Sequence, residues 1–170
     1  MFTQWYRALR LAAHDQPGAE AAYREAAVLL DGSGMPGLQE GLLPLALLSL
    51  GRPGDENWGP YEPWVRPLLL LNQDRHTEAA AALQEVPEPP RDLMYEAMWS
   101  LVGHAAVALD DRATMQRAAV ELAPAAAEQA GAGSGLLTFG PVADRLEVLS
   151  RHAPKDAAGG SVRPGGEPRG

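Results

Sequence analysis

The chain has 170 residues, with 14 lysines and arginines against 22 aspartates and glutamates, a formal net charge of −8 and no cysteine. Such a length suits one domain with a sizeable core, since a domain near 150 residues buries roughly 70% of the surface its unfolded chain exposes. The missing cysteines exclude disulfides, thiolate metal ligands and a cysteine nucleophile, and the acidic total without any basic run argues against direct nucleic-acid binding, which needs clustered cations.

Alanine and leucine dominate and β-branched residues are scarce, so local propensity favours an all-α fold. A first helix is predicted from about Phe2 to Ala13, with Phe2, Trp5, Leu9 and Ala12 on one face. Pro17 and Gly18 punctuate a turn, and a partner helix from about Pro17 to Leu30 should end before Gly32-Ser33-Gly34. A third helix from about Gly37 to Leu50 is apolar on most sides, with a kink expected at Pro44. Between Gly51 and Pro63 the chain reads as irregular, too rich in breakers for a helix and too aromatic for an ordinary linker.

A second hairpin is predicted over about residues 64–85, with Pro67 confining regular helix to its C-terminal side and Pro87, Pro89 and Pro90 closing it. A long helix from about Arg91 to Leu109 turns at Asp110-Asp111 into a partner from about Arg112 to Ala130, where Pro124 predicts a bend. After the glycine-rich stretch Gly131 to Gly135 and the apolar Leu136 to Phe139 comes a last helix from about Val142 to His152. The remainder, Ala153 to Gly170, has almost no apolar surface to offset ordering entropy and is expected to be disordered.

Three of these helices carry the same signature, small-x3-large-x2-small: Ala19, Tyr23 and Ala26; Ala79, Leu83 and Val86; Ala118, Leu122 and Ala125. In the second helix of a tetratricopeptide-type hairpin the small residue lets a neighbouring helix approach and the large one fills the gap beside it. Ala19 and Ala79 lie 60 positions apart, which forbids a uniform array. The expected architecture is therefore an irregular set of tetratricopeptide-like hairpins, about eight helices over residues 1–152, followed by a Gly/Pro-rich tail over 153–170.

The longest apolar run, Leu42 to Leu50, is broken by Pro44 and Ser49 and falls short of the roughly 20 residues needed to span a bilayer. Met1 to Arg7 lacks the basic and apolar pattern of a secretion signal. A soluble cytoplasmic protein without membrane contact is expected.

Candidate chemistry is sparse. His14, His76, His104 and His152 show no i, i+4 pairing, so no metal site is expected, and the serines offer no nucleophile elbow. Gly131 to Gly135 lacks the following Lys-Ser/Thr of a phosphate loop and reads as a helix stop. The acidic pairs Asp55-Glu56 and Asp110-Asp111 sit at helix boundaries, where capping is the expected role. The aromatic residues are the stronger candidates: Trp58, Tyr61 and Trp64 lie beside Arg66, and Tyr95 and Trp99 are one helical turn apart. Core and loop packing is one reading of them. The functional reading is a groove rimmed by Arg66 and Arg91, suited to a peptide helix or an apolar small molecule.

Three segments, Met1 to Leu9, Gly59 to Leu69 and Gly131 to Asp144, together resemble the C-terminal helical-repeat region of large actinobacterial transcriptional regulators. These belong to the antibiotic regulatory protein family with a bacterial transcriptional activator domain. The likeness covers most of residues 1–150 and is most specific at Gly140-Pro141-Val142-Ala143 after the glycine-rich turn. It implies a sensor or scaffold domain, standing alone or cut from a longer regulator, that works by protein contact or self-association. It brings no catalytic residue and no cofactor, and the winged-helix and NTPase modules of such regulators are not among the residues read. The alternative is a small-molecule-binding protein, ligand-sensing or drug-sequestering, that uses the aromatic groove.

Overall fold

The computed structural model describes residues 2–30, 40–53 and 57–152. The predicted tail, the Gly32-Ser33-Gly34 helix stop and the Asp55-Glu56 pair lie outside those residues. Within them the chain is all-helical, with helices α1 (Phe2–Ala13), α2 (Ala19–Val28), α3 (Leu42–Ser49), α4 (Glu62–Asn72), α5 (His76–Gln84), α6 (Tyr95–Ala108), α7 (Arg112–Leu122) and α8 (Val142–His152). Short 3-10 turns occupy Gly59–Tyr61, Ala123–Ala125 and Ala132–Ser134.

α1 with α2, α4 with α5 and α6 with α7 pack as three hairpins, and the repeated signature marks their seams. Ala19, Tyr23 and Ala26, Ala79 and Leu83, and Ala118, Leu122 and Ala125 are all buried, with Val86 half-buried at the rim. Small residues at these places let the paired helices approach while the large one between them fills the seam. α6 is the hub: it packs on α4, α5, α7 and α8 and is buried on nearly every side.

All three hairpins turn on the same device. Asp15, Asp74 and Asp110 each follow a helix end in the left-handed region, at φ 49, 58 and 52. In each case the aspartate N–H and the next N–H bond back to carbonyls of the last helical turn, as in Asp74 to Leu71 and Arg75 to Leu70. This is the six-to-one, five-to-two closure that usually takes glycine; aspartate is among the few other residues that enter the region at modest cost. Asp111 then caps α7, its Oδ1 accepting from the Thr114 N–H at 3.1 Å, the capping role expected of the Asp110-Asp111 pair.

The prolines act differently from expectation. Pro44 falls in the first turn of α3, where N–H groups have no intrahelical partner, so it starts the helix and does not kink it. α4 runs unbroken through Pro67, extending five residues N-terminal of it, so Pro67 does not confine the helix. Pro124 ends α7 in a 3-10 turn, with no bent helix continuing to Ala130. α2 starts after Gly18, held at φ 96, so Pro17 lies outside it. The long helix begins at Tyr95, not Arg91.

Two connections fix the remaining pieces. Gly41 and Gly59 let the start of α3 cross the Trp58 loop: a Cβ on Gly41 would fall 2.1 Å from the Trp58 carbonyl oxygen, and one on Gly59 2.9 Å from the Glu40 backbone. Both glycines have positive φ. Farther along, Ala130 N donates to Gly140 O, Phe139 N to Ala130 O and Val142 N to Glu128 O, each at 2.9–3.0 Å. This clasp turns the chain back and sets α8 against α6 and α7.

Candidate functional site

The aromatic residues singled out by the sequence divide between core and surface. Trp58 is buried under the glycine crossing, and Tyr61 is half-buried beside Gly41, with burial foremost and Asp92 second in raising its phenol pKa. Trp64 is half-buried and donates from Nε1 to the Pro87 carbonyl at 3.0 Å. Arg66 is exposed and pairs with Glu62 on its own helix at 4.0 Å.

Tyr95 and Trp99 stack edge to face at 6.3 Å on α6, both buried. Two arginines cover them: Arg91 lies 5.0 Å from the Tyr95 ring centroid and Arg117 5.2 Å from that of Trp99. Each cation is neutralised, Arg91 by Glu121 at 3.5 Å and Arg117 by Glu88 at 2.7 Å, and the Tyr95 hydroxyl also donates to Glu121. Burial and that bond hold the Tyr95 pKa above its ordinary range. The Pro87-Glu88-Pro89 segment is thus tied to Trp64 at one end and to Arg117 over Trp99 at the other. A cavity of about 120 Å³ beside Trp99 is bounded by Val86, Pro87, Pro89 and Arg117. A void that small holds a few waters at most.

On the opposite side of α6 the structure assembles a larger site that the sequence did not indicate. A cleft of about 890 Å³ is walled by Leu48 and Ser49 of α3, Leu68 and Leu71 of α4, His76 of α5, Ser100, Leu101 and His104 of α6, Phe139 of the clasp and Arg145 of α8. Its volume lies within the roughly 300–1,000 Å³ of small-molecule pockets, and its mixture of apolar wall and a few polar groups is typical of them. Ser100 is 1% exposed, and its Oγ has no hydrogen-bond partner. A buried, unpartnered hydroxyl costs about 1–3 kcal/mol and calls for an explanation.

The cleft's electrostatics are cationic at the α6–α8 side. Arg145 is half-buried, which lowers its pKa, with Asp144 opposing the shift; among the described residues no carboxylate lies within ion-pair distance of it. Partial desolvation of its ring, with Arg145 second, lowers the His104 pKa, although part of that side chain meets solvent. Among the described residues Asp74 is the one carboxylate in the wall, in the α4–α5 turn near His76. Ser100 and His104 lie one turn apart on α6, but no sequence spacing links them to positions 76 and 145. His76 and His104 read as isolated residues, and only the packing of α5, α6 and α8 brings them to one cleft.

A second apolar groove of about 560 Å³ runs between α7 and α8, lined by Met115, Ala119, Leu146 and Leu149. Among the described residues no group of three or more His, Asp or Glu side chains is placed to hold a metal ion, and no helix is long and apolar enough to cross a membrane. No protein-family model matches the sequence, and no curated protein or solved structure is significantly similar to it.

Proposed function

We propose that this protein is a non-catalytic, signal-sensing helical module that works by holding a small molecule in the cleft between α3, α4, α6 and α8. The observation that carries this reading is the cleft itself: about 890 Å³, with an apolar wall and, among the described residues, an unpartnered Ser100 hydroxyl and an Arg145 without an ion-pair partner. Because its walls come from segments spread between Leu48 and Arg145, an occupant would bridge α3, the second hairpin, α6 and α8. That is how a ligand signal would become a change in how the hairpins stack. The reading agrees with the resemblance to the helical region of actinobacterial regulators, which implies a sensor or scaffold in a cytoplasmic setting. The irregular, tetratricopeptide-like hairpins supply the scaffold. Ligand-observed NMR against a library of metabolite-sized compounds tests the proposal: hits should perturb the amides of Ser100, Leu101 and Phe139 together, and a library with no such hit would count against it.

Protein contact is the second reading, favoured by the α7–α8 groove and by Val120, 65% exposed on α7. Apolar surface of this kind commonly marks an interface. If the groove seats a second copy of the chain, sedimentation equilibrium will show a dimer that Leu146→Asp abolishes. A monomer unaffected by that substitution would remove self-association from consideration.

A further inference from the structure

Arg145 stands apart from the arginines that carry ion pairs. Arg24, Arg66, Arg75, Arg91, Arg112, Arg117 and Arg151 each have a carboxylate within 4.0 Å, and their side chains are 48–74% exposed. Arg145 is more buried than these and has no such partner among the described residues. A partly desolvated guanidinium without a counter-charge is unfavourable unless an anion arrives to meet it. Among the described residues Arg7, Arg10 and Arg52 also lack an ion pair, but those three are exposed to water; Arg145 combines that lack with partial burial, in a chain of net charge −8.

We propose that the cleft binds an amphipathic organic anion, its carboxylate held by Arg145 and His104 and its apolar body lying along Leu68, Leu101 and Phe139. The inference rests on the ligand-sensing reading and adds to it the charge class of the ligand. Three features of the cleft converge on it. Arg145 supplies a planar fork of donors that fits a carboxylate, and His104 becomes a second donor once protonated. The Ser100 Oγ supplies a further donor or acceptor deep in the wall. The leucines and Phe139 exclude water beside the charge, which strengthens the attraction. An anion between Arg145 and His104 also offsets the Arg145 charge, which after burial is the second cause lowering the His104 pKa, so ligand and proton should bind together. Asp74 opposes an anion, and its place in the α4–α5 turn orients the charged head toward α8.

The test uses the full chain and four probes: sodium octanoate below its micelle concentration, 1-naphthoate, octan-1-ol and octylamine. Resonances of the His104 imidazole and of the Ser100, Leu101 and Phe139 amides report occupancy. At least one of the two acids should saturate these shifts and raise the His104 titration midpoint, while octylamine leaves them unmoved. Arg145→Gln should weaken the acid about tenfold or more, as loss of a charge-assisted bond does, and Arg145→Lys should recover part of that loss. Asp74→Asn, at an exposed turn where asparagine also tolerates positive φ, should strengthen acid binding about two- to threefold and gives a variant independent of any folding defect at Arg145. Octylamine binding as tightly as octanoate, or acid affinity unchanged in folded Arg145→Gln, would overturn the anion assignment and leave the cleft a ligand site. If none of the four probes moves the cleft resonances, the anion assignment falls, and failure of the wider library as well would remove the sensing reading.

Discussion

On one side of α6, Tyr95 and Trp99 sit beneath Arg91 and Arg117, each cation matched by a glutamate; on the other, Ser100 and His104 share a cleft with Arg145, which has no carboxylate within ion-pair distance among the described residues. Both faces bring an arginine against the side chains of one helix. On the first, aromatic rings, paired charges and the Pro87–Pro89 segment leave only about 120 Å³ of space, and on the second the packing stops short and leaves about 890 Å³. What separates the two faces is thus whether the chain supplies the counter-charges and fills the space, since among the described residues the buried Trp99 Nε1 on the closed face lacks a hydrogen-bond partner just as the Ser100 Oγ does. Breaking the closed face should be costly, whereas altering the open one should cost the free protein little.

The largest effect is expected from Trp99→Ala. Truncating a buried tryptophan removes packing and leaves a void, which should lower unfolding free energy by about 3–5 kcal/mol, read as a fall in the urea midpoint. Tyr95→Phe comes next, since it removes only the phenol donor to Glu121; a bond to a charged acceptor is worth about 1.5–3 kcal/mol, and the same denaturation curve will show the loss. Ser100→Ala should behave oppositely. It replaces an unpartnered buried hydroxyl with a methyl group, so stability should hold or rise by up to about 1 kcal/mol, and a loss above that would mean the hydroxyl has a partner in solution.

The smallest effect is a pH dependence on the open face. The folded chain keeps the His104 pKa below its ordinary value, chiefly by burial and then by Arg145, so as pH falls below about 6.5 the unfolded chain takes up that proton first. Stability contributed by the neutral imidazole is present above that pH and is lost as pH falls toward the folded-state pKa. His104→Gln should flatten the thermal unfolding midpoint between neutral and mildly acidic pH, and an unchanged slope would show that the imidazole is not held neutral.

Much of the architecture was legible because it depends on local pattern. α1 and α8 run between the residues that periodicity indicated, and the small-large-small signature falls on the buried seam of all three hairpins. The prolines misled because an interior proline and a first-turn proline look alike until the helix start is known. Pro44 is harmless once Gly41, at φ 82, has opened α3 only one residue before Leu42. The aspartate-closed turns were missed because Asp in the left-handed region leaves no mark in composition; only the carbonyl bonds it makes reveal it. Aromatic content pointed to residues 58–66 and 95–99, where rings are conspicuous in the sequence. The cleft was illegible for the opposite reason: it is made by what four distant segments leave between them, and its key group, Arg145, is notable for having no ion pair among the described residues while half-buried.

The three aspartate-closed turns also bear on the order in which the molecule folds. Each closes a hairpin from residues adjacent in the chain, at low loop-closure entropy, so the hairpins should form early and nearly independently. The cleft instead joins Leu48 to Arg145 and exists only after the hairpins dock and the clasp at Ala130 and Phe139 has closed. Its amides should therefore be among the last protected in a pulsed hydrogen-exchange refolding experiment. An occupant, binding only the docked chain, would slow unfolding without hastening the first steps of folding.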